Sequence, residues 1–272
     1  MPGSIPATRF AGLSRGAAAA VCLVTILAAL VFLGYARIYQ EPYVPNPSQG
    51  GDRAMYMRIV DDMRSGADYY AAARQELSAG HYGMQSVFNW RTPTLASFLA
   101  WFPNVWLSQA PLFLAELLAM VLACRLAFRE LGWIGTGAMG VVGLLSLGVC
   151  IIPTSIYISE IPTGVLILLS ATAYGLGRRR LGFAAGVLAL FLRELAAPYV
   201  LVCAFLAWRE RRYRELAGWL LAFLAYAAYF LWHFHMVQLH QSPADHADVS
   251  GWLQFGGAAF LLNTAGFNGF FL

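Results

Sequence analysis

Runs of roughly 17 to 20 apolar residues recur along the chain, separated by short stretches that carry arginine. A helix of that length, rising about 1.5 Å per residue, matches the hydrocarbon core of a bilayer. The pattern predicts helices near 17–36, 110–128, 132–152, 161–177, 181–192, 196–208 and 217–235, followed by an incomplete apolar tract from about 255. The pair 181–192 and 196–208 is split because Arg193-Glu194 would otherwise lie at mid-membrane, and because Pro198 disfavours helix just before it. The first run follows Arg9 and Arg15 as a signal peptide would, but it outlasts an ordinary apolar core and lacks a clear small-x-small cleavage site. It reads as an uncleaved anchor. The expected fold is an all-α polytopic membrane protein of about seven transmembrane helices plus an incomplete eighth.

One long polar interruption breaks this pattern, between the first span and the second. Within it Met55, Ile59 and Met63 fall on one helical stripe that Gly66 closes, which reads as a short amphipathic helix on the membrane surface. A second helix is expected over 71–79 with Gly80 as its stop, and a third apolar piece over 94–102. The loop is therefore structured. Its aromatic residues, Tyr56, Tyr69, Tyr70, Tyr82, Phe88 and Trp90, suit an interfacial belt first and stacking on a sugar ring second.

Composition agrees with the membrane reading, since 59% hydrophobic and 12% charged residues in 272 cannot be hidden inside a water-soluble domain. All 18 basic residues are arginine, which points to a GC-rich bacterial source. Arg9 and Arg15, Arg125 and Arg129, Arg178, Arg179 and Arg180, and Arg209, Arg211, Arg212 and Arg214 occupy alternate inter-helix stretches. A cytoplasmic N-terminus puts all of them inside and the long segment outside. The expected organisation is thus a cytoplasmic 1–16, a transmembrane module 17–235 containing an outer loop 38–109, and a further outer loop and apolar tract over 236–272, in a bacterial inner membrane. The net charge of +4 reflects arginines beside anionic headgroups and gives no support for nucleic acid as a partner.

Cys22, Cys124, Cys150 and Cys203 lie in or beside apolar spans without C-x-x-C spacing, so they read as small core residues. His233 and His235 stand two apart, on different helix faces, and suit interfacial anchoring better than a metal site. Asp52, after Gly50-Gly51 and before an apolar-periodic run, is placed either to cap a helix or to act as a base. Asp61 and Asp62 read as a solvated face. Arg91 and Arg193 are the outer-face arginines nearest the spans, suited to a phosphate or, for Arg91, to snorkelling, and for Arg193 to pairing with Glu194 or lipid. Glu160, just before Ile161-Pro162, either lines a cavity with these arginines or starts a helix. Glu116 is an intramembrane carboxylate expected to face the bundle interior.

The order Asp52-Arg53-Ala54-Met55-Tyr56, then Gly66-Ala67-Asp68-Tyr69, then Arg91-Thr92-Pro93 before the second span resembles the GT-C superfamily of membrane glycosyltransferases. Closest in pattern are the bacterial relatives of the protein O-mannosyltransferases and of the lipid A aminoarabinose transferase. Their opening motif is usually Asp-Glu-x-x-Tyr, with a later Lys-Pro-Pro; here the second carboxylate and the lysine are absent. Ser159-Glu160 is similar to the family's acidic residue after its third helix, and Arg193-Glu194 falls where relatives often carry Lys-Gly-Pro. The resemblance covers roughly 17–235.

It implies transfer of a sugar, with inversion, from a polyprenyl-phosphate donor to a lipid, glycan or protein acceptor on the outer face. Asp52 would be the general base, and Tyr56, Arg91, Glu160, Arg193 and Glu194 would bind substrate. No metal-ligand set is present in the spacing, although some relatives use a divalent cation. Such enzymes ordinarily continue with further spans or an outer domain, so a chain ending in GFNGFFL is expected to be a truncated member. Two other classes fit a polytopic chain. A transporter should gather its polar residues at broken mid-membrane helices, whereas here they gather in one outer loop; a non-catalytic accessory homologue is the other.

Overall fold

The structure, a computed structural model, describes residues 51–147 and 152–245, with isolated positions between 14 and 27. The chain divides into two units, Met1–Val44 with Gln254–Leu272, and Pro45–Leu253. Of the first, Gly16, Ala17, Ala20, Leu23, Val24 and Leu27 are helical. Most of the expected anchor, the tract beyond 255, Cys22, Cys150 and His246 lie outside the described residues.

The second unit is helical, with no strand among its described residues. It runs α1 (Gly51–Arg64), α2 (Tyr69–Ala79), α3 (Pro93–Ala100), α4 (Val105–Leu147), α5 (Glu160–Gly175), α6 (Arg179–Leu192), α7 (Ala197–Arg209) and α8 (Tyr213–His240), with single 3-10 turns at Val87–Asn89, Pro153–Tyr157 and Glu194–Ala196. The helices expected near 110–128 and 132–152 fall on the two limbs of α4, which is described as far as Leu147. They part at Gly132, whose φ of 67° and ψ of −154° are open to glycine and hostile to any residue with a Cβ.

The polar interruption folds as a helical cap. In α1, Asp52 in the first turn and Arg64 in the last complement the helix dipole. Its apolar stripe does not lie on a membrane surface as expected: Met55 and Ile59 are buried against Tyr69, Tyr70, Leu77, Trp90 and Val237 of α8, with Met63 packed beside them. Helix α2 starts at Tyr69 rather than 71, because the Asp68 carboxylate accepts from the backbone N–H groups of Tyr70 and Ala71 at 2.9 and 3.3 Å. At its other end Gly80 keeps a right-handed φ of −81° and His81 takes the left-handed φ of 55°. The Tyr82 N–H then closes on the Leu77 carbonyl at 3.0 Å.

The interfacial-belt reading is corrected for three of the six loop aromatics. Tyr69, Tyr70 and Trp90 are core residues, each with its polar end satisfied: Tyr69 donates to the Arg91 carbonyl, Tyr70 bonds His233 Nδ1 at 3.0 Å, and Trp90 Nε1 donates to the Met84 carbonyl at 2.9 Å. His233 is likewise no interfacial anchor; it is fully buried, its Nε2 2.9 Å from the Trp90 carbonyl. His235 on the next face is exposed. Helix α8 continues to His240, five residues past the expected end at 235, because these contacts extend its buried face.

Helices α5 and α6 form a closely packed hairpin. Small residues permit the approach: Gly182, Ala185, Gly186 and Ala189 are buried on α6, and Ser170 Oγ of α5 donates to the Gly182 carbonyl at 2.6 Å. Helix α6 ends at Arg193, which is extended (φ −154°, ψ 128°), and α7 begins with Pro198 in its first turn, so the split expected at Arg193-Glu194 is present. Among the described residues two helices are long and apolar enough to cross a membrane, the stretch Val105–Leu144 of α4 and Tyr213–His240. Much of their apolar surface is uncovered, with Leu131, Ile134 and Leu144 on α4 and Leu221, Leu224 and Leu231 on α8 all more than 60% exposed. Helices α5, α6 and α7, of 16, 14 and 13 residues, are shorter than that requirement.

Candidate functional site

Each site residue is set by the end of an element. Asp52 and Tyr56 are one turn apart on α1; Arg91 is held just before α3, where Pro93 opens the helix; Glu160 opens α5; Arg193 ends α6 and Glu194 begins the turn after it. Because α5 and α6 run antiparallel, the start of one and the end of the other meet. Arg193 Nη2 lies 2.9 Å from Glu160 Oε1, and Arg91 Nη2 lies 3.2 Å from the same oxygen. One carboxylate oxygen thus serves two guanidiniums that are far apart in sequence.

Around this pair the contacts extend as a chain. Arg91 Nε donates to the Tyr56 hydroxyl at 2.9 Å, with the guanidinium carbon 5.8 Å from the Tyr56 ring centre. Arg193 Nε stands 3.6 Å from Glu194 Oε1, within ion-pair range but too long for a hydrogen bond. Ser159 Oγ donates to the other Glu160 oxygen at 3.2 Å. The snorkelling alternative for Arg91 is not what this arrangement shows, since its head group is engaged by protein. Burial pushes the Tyr56 phenol above its ordinary range despite the Arg91 charge beside it. Burial also works against the charge on Arg91, but the Tyr56 oxygen and Glu160 outweigh it and hold the guanidinium above its ordinary value.

The donors are not exhausted by these contacts. Arg91 Nη1, Arg193 Nη1 and Arg193 Nε are buried without a hydrogen-bond partner, and the Arg193 side chain is only 5% exposed. Buried charged donors left unpaired are costly, which marks this cluster as a place where an anion's oxygens would be stabilised. A cavity of about 30 Å³ lies here, lined among others by Tyr56, Arg91, Ser159, Arg193 and Glu194.

Beside it a groove of about 310 Å³ opens to solvent, and Tyr56 and Arg91 line both spaces. Asp52, His81, Tyr82, Phe88 and Asn89 complete its wall. Asp52 is exposed there, and its Oδ1 accepts from the Tyr82 hydroxyl at 2.7 Å. It stands inside the first turn of α1 and takes no capping bond of its own. The fold therefore brings all six expected residues, Asp52, Tyr56, Arg91, Glu160, Arg193 and Glu194, to one end of the helices.

Other candidates fall elsewhere. Asp61 pairs with Arg64 at 2.8 Å on the exposed face of α1, and half-buried Glu116 on α4 has one oxygen without a partner; neither lines the two spaces. His81 and Asn89 carry no pattern by which sequence reading would select them; they join the groove through the turn after α2 and through the Asn89 amide, which donates to the Gly83 carbonyl at 2.6 Å. Among the described residues no group of three or more His, Cys, Asp or Glu could hold a metal ion. No protein family, curated protein or solved structure matches this chain.

Proposed function

We propose that this protein is a membrane glycosyltransferase of the GT-C type, moving a sugar from a polyprenyl-phosphate donor to an acceptor at the outer face of a bacterial inner membrane. The observation that carries the reading is the pair of guanidiniums on Glu160, with buried donors that lack hydrogen-bond partners, beside a groove that Arg91 and Asp52 line together. A phosphate leaving group develops charge as the glycosidic bond breaks, and fixed arginine forks stabilise that charge. Asp52 takes the proton of the acceptor hydroxyl or amine, the freed electron pair attacks the anomeric carbon, and the polyprenyl phosphate departs toward Arg91 and Arg193. Attack opposite the leaving group inverts the sugar. Tyr82 orients the Asp52 carboxylate through its hydrogen bond, and Tyr56 holds Arg91.

Seven spans and an eighth, with a cytoplasmic N-terminus and an outer cap 51–100, complete the proposal. It is supported by the arginine turns at Arg178, Arg179 and Arg180 and at Arg209 to Arg214, which lie at the ends of α5 and α7 remote from Glu160 and Glu194. The test is transfer of labelled sugar from a polyprenyl-phosphate donor in membranes holding the full chain. Asp52→Asn should lower transfer at least ~100-fold, the scale of a lost general base, with an unchanged Tm. Transfer that persists in this variant removes Asp52 from the role of base.

A further inference from the structure

At the opposite end of α5 from Glu160 lies an open hollow of about 470 Å³, in the crook that Gly132 makes in α4. Three arginines line it: Arg125 and Arg129, one helical turn apart before the bend, and Arg178, just past the end of α5. Cys124, Phe128, Trp133, Thr136 and Leu176 supply the rest, so no carboxylate lines the wall. None of the three arginines forms an ion pair among the described residues. Like charges a turn apart repel one another, and a third drawn to the same hollow adds to that repulsion. An anion there would offset it.

The rim tells what the anion is attached to. Trp133 packs edge-on against Phe128 with ring centres 4.9 Å apart, and Leu131, Trp133 and Ile134 are 72%, 79% and 88% exposed. Apolar side chains presented outward beside three guanidiniums match a molecule with a phosphate head and acyl tails. Basic hollows between helices on the arginine-rich side of a membrane protein are suited to such headgroups. We propose that the cavity under Arg125, Arg129 and Arg178 is a binding site for the phosphate headgroup of an anionic phospholipid. The site is independent of the sugar-transfer reading and shares no residue with it.

The test measures the Tm of the full-length protein in detergent, titrated with phosphatidylglycerol, phosphatidylcholine or glycerol 3-phosphate. Phosphatidylglycerol should raise the Tm by about 5 °C, and the other two should leave it unchanged. The triple variant Arg125→Gln, Arg129→Gln, Arg178→Gln should lose that rise, while Asp52→Asn keeps it. An equal rise with phosphatidylcholine, or a triple variant that keeps the full response, overturns the site. Glycerol 3-phosphate reproducing the whole rise overturns the lipid as its source. If the triple variant does not fold, Arg178→Gln alone should cut the rise by about half, and an undiminished response in that variant also overturns the proposal.

Discussion

The weight of the candidate site rests on Glu160, whose Oε1 is shared by Arg193 at 2.9 Å and Arg91 at 3.2 Å. Arg193 is nearly sealed from solvent, and its contact with Glu194 is 3.6 Å long, so Glu160 is its principal counter-charge. Arg91 has a second support in the Tyr56 hydroxyl. Glu160→Gln should therefore destabilise the protein by about 1–3 kcal/mol, the range for a buried charged group losing its partner, tempered by the 43% exposure of Glu160 itself. Glu194→Gln should cost clearly less. Thermal unfolding of the two variants in one detergent compares them, and equal Tm losses would count against Glu160 as the keystone. Charged residues beside apolar spans are expensive, and this made Arg91, Arg193 and Glu160 conspicuous in the sequence. That two of them converge on one oxygen of the third is a tertiary fact with no local signature. Tyr69, Tyr70 and Trp90 depart from the interfacial-belt expectation for the opposite reason. A tyrosine with an apolar body and a polar tip looks the same whether the tip meets headgroups or, as for Tyr70, a buried His233.

Among the elements, those with clear punctuation were legible. The stripe of α1, the stop near Gly80 and the break at Arg193 all follow from spacing and from glycine and proline chemistry. What the apolar stripe of α1 would pack against was not legible, because a membrane surface and a protein core ask for the same periodicity. Nor was the left-handed residue at His81 just past that stop, since a histidine in this region depends on the closing bond from Tyr82 to Leu77. Gly132 is the backbone position with the sharpest requirement. Its φ of 67° with ψ of −154° divides α4, and a Cβ added there would meet nothing within 4 Å, so any cost comes from the backbone alone. Gly132→Ala should destabilise by about 1–3 kcal/mol. Gly137→Ala, equally open in space and within the following helical limb, should be neutral or stabilising by up to about 1 kcal/mol. A Tm for Gly132→Ala matching that of Gly137→Ala would show that the bend does not depend on the left-handed conformation.

At the scale of the molecule, the α5–α6 hairpin carries a polarity. Glu160 and Arg193 mark one end, and the turn through Arg178, Arg179 and Arg180 marks the other. With 16 and 14 residues, the two helices extend roughly 24 and 21 Å, short of a hydrocarbon core of about 30 Å. Helix α8 has 28 residues and extends roughly 42 Å, and its far end packs into the cap formed by α1 and α2. A short hairpin beside a long helix fits a bilayer if the cap and its groove sink toward the headgroups, where a lipid-borne phosphate would meet Arg91 and Arg193 without leaving the membrane surface. This geometry predicts opposite exposure of the two ends. In a chain whose four cysteines are replaced by serine, a cysteine introduced at Phe88, which is 41% exposed on the groove wall, should react with a membrane-impermeant maleimide in intact spheroplasts. One introduced at Arg179, exposed at the start of α6 beside the turn from α5, should react only after permeabilisation. Labelling of both from the outside would mean that α5 and α6 do not cross the bilayer. The arginine cluster would then no longer be separated from the groove by the bilayer, and the pairing of an outer catalytic cap with inner arginine turns would fall with it.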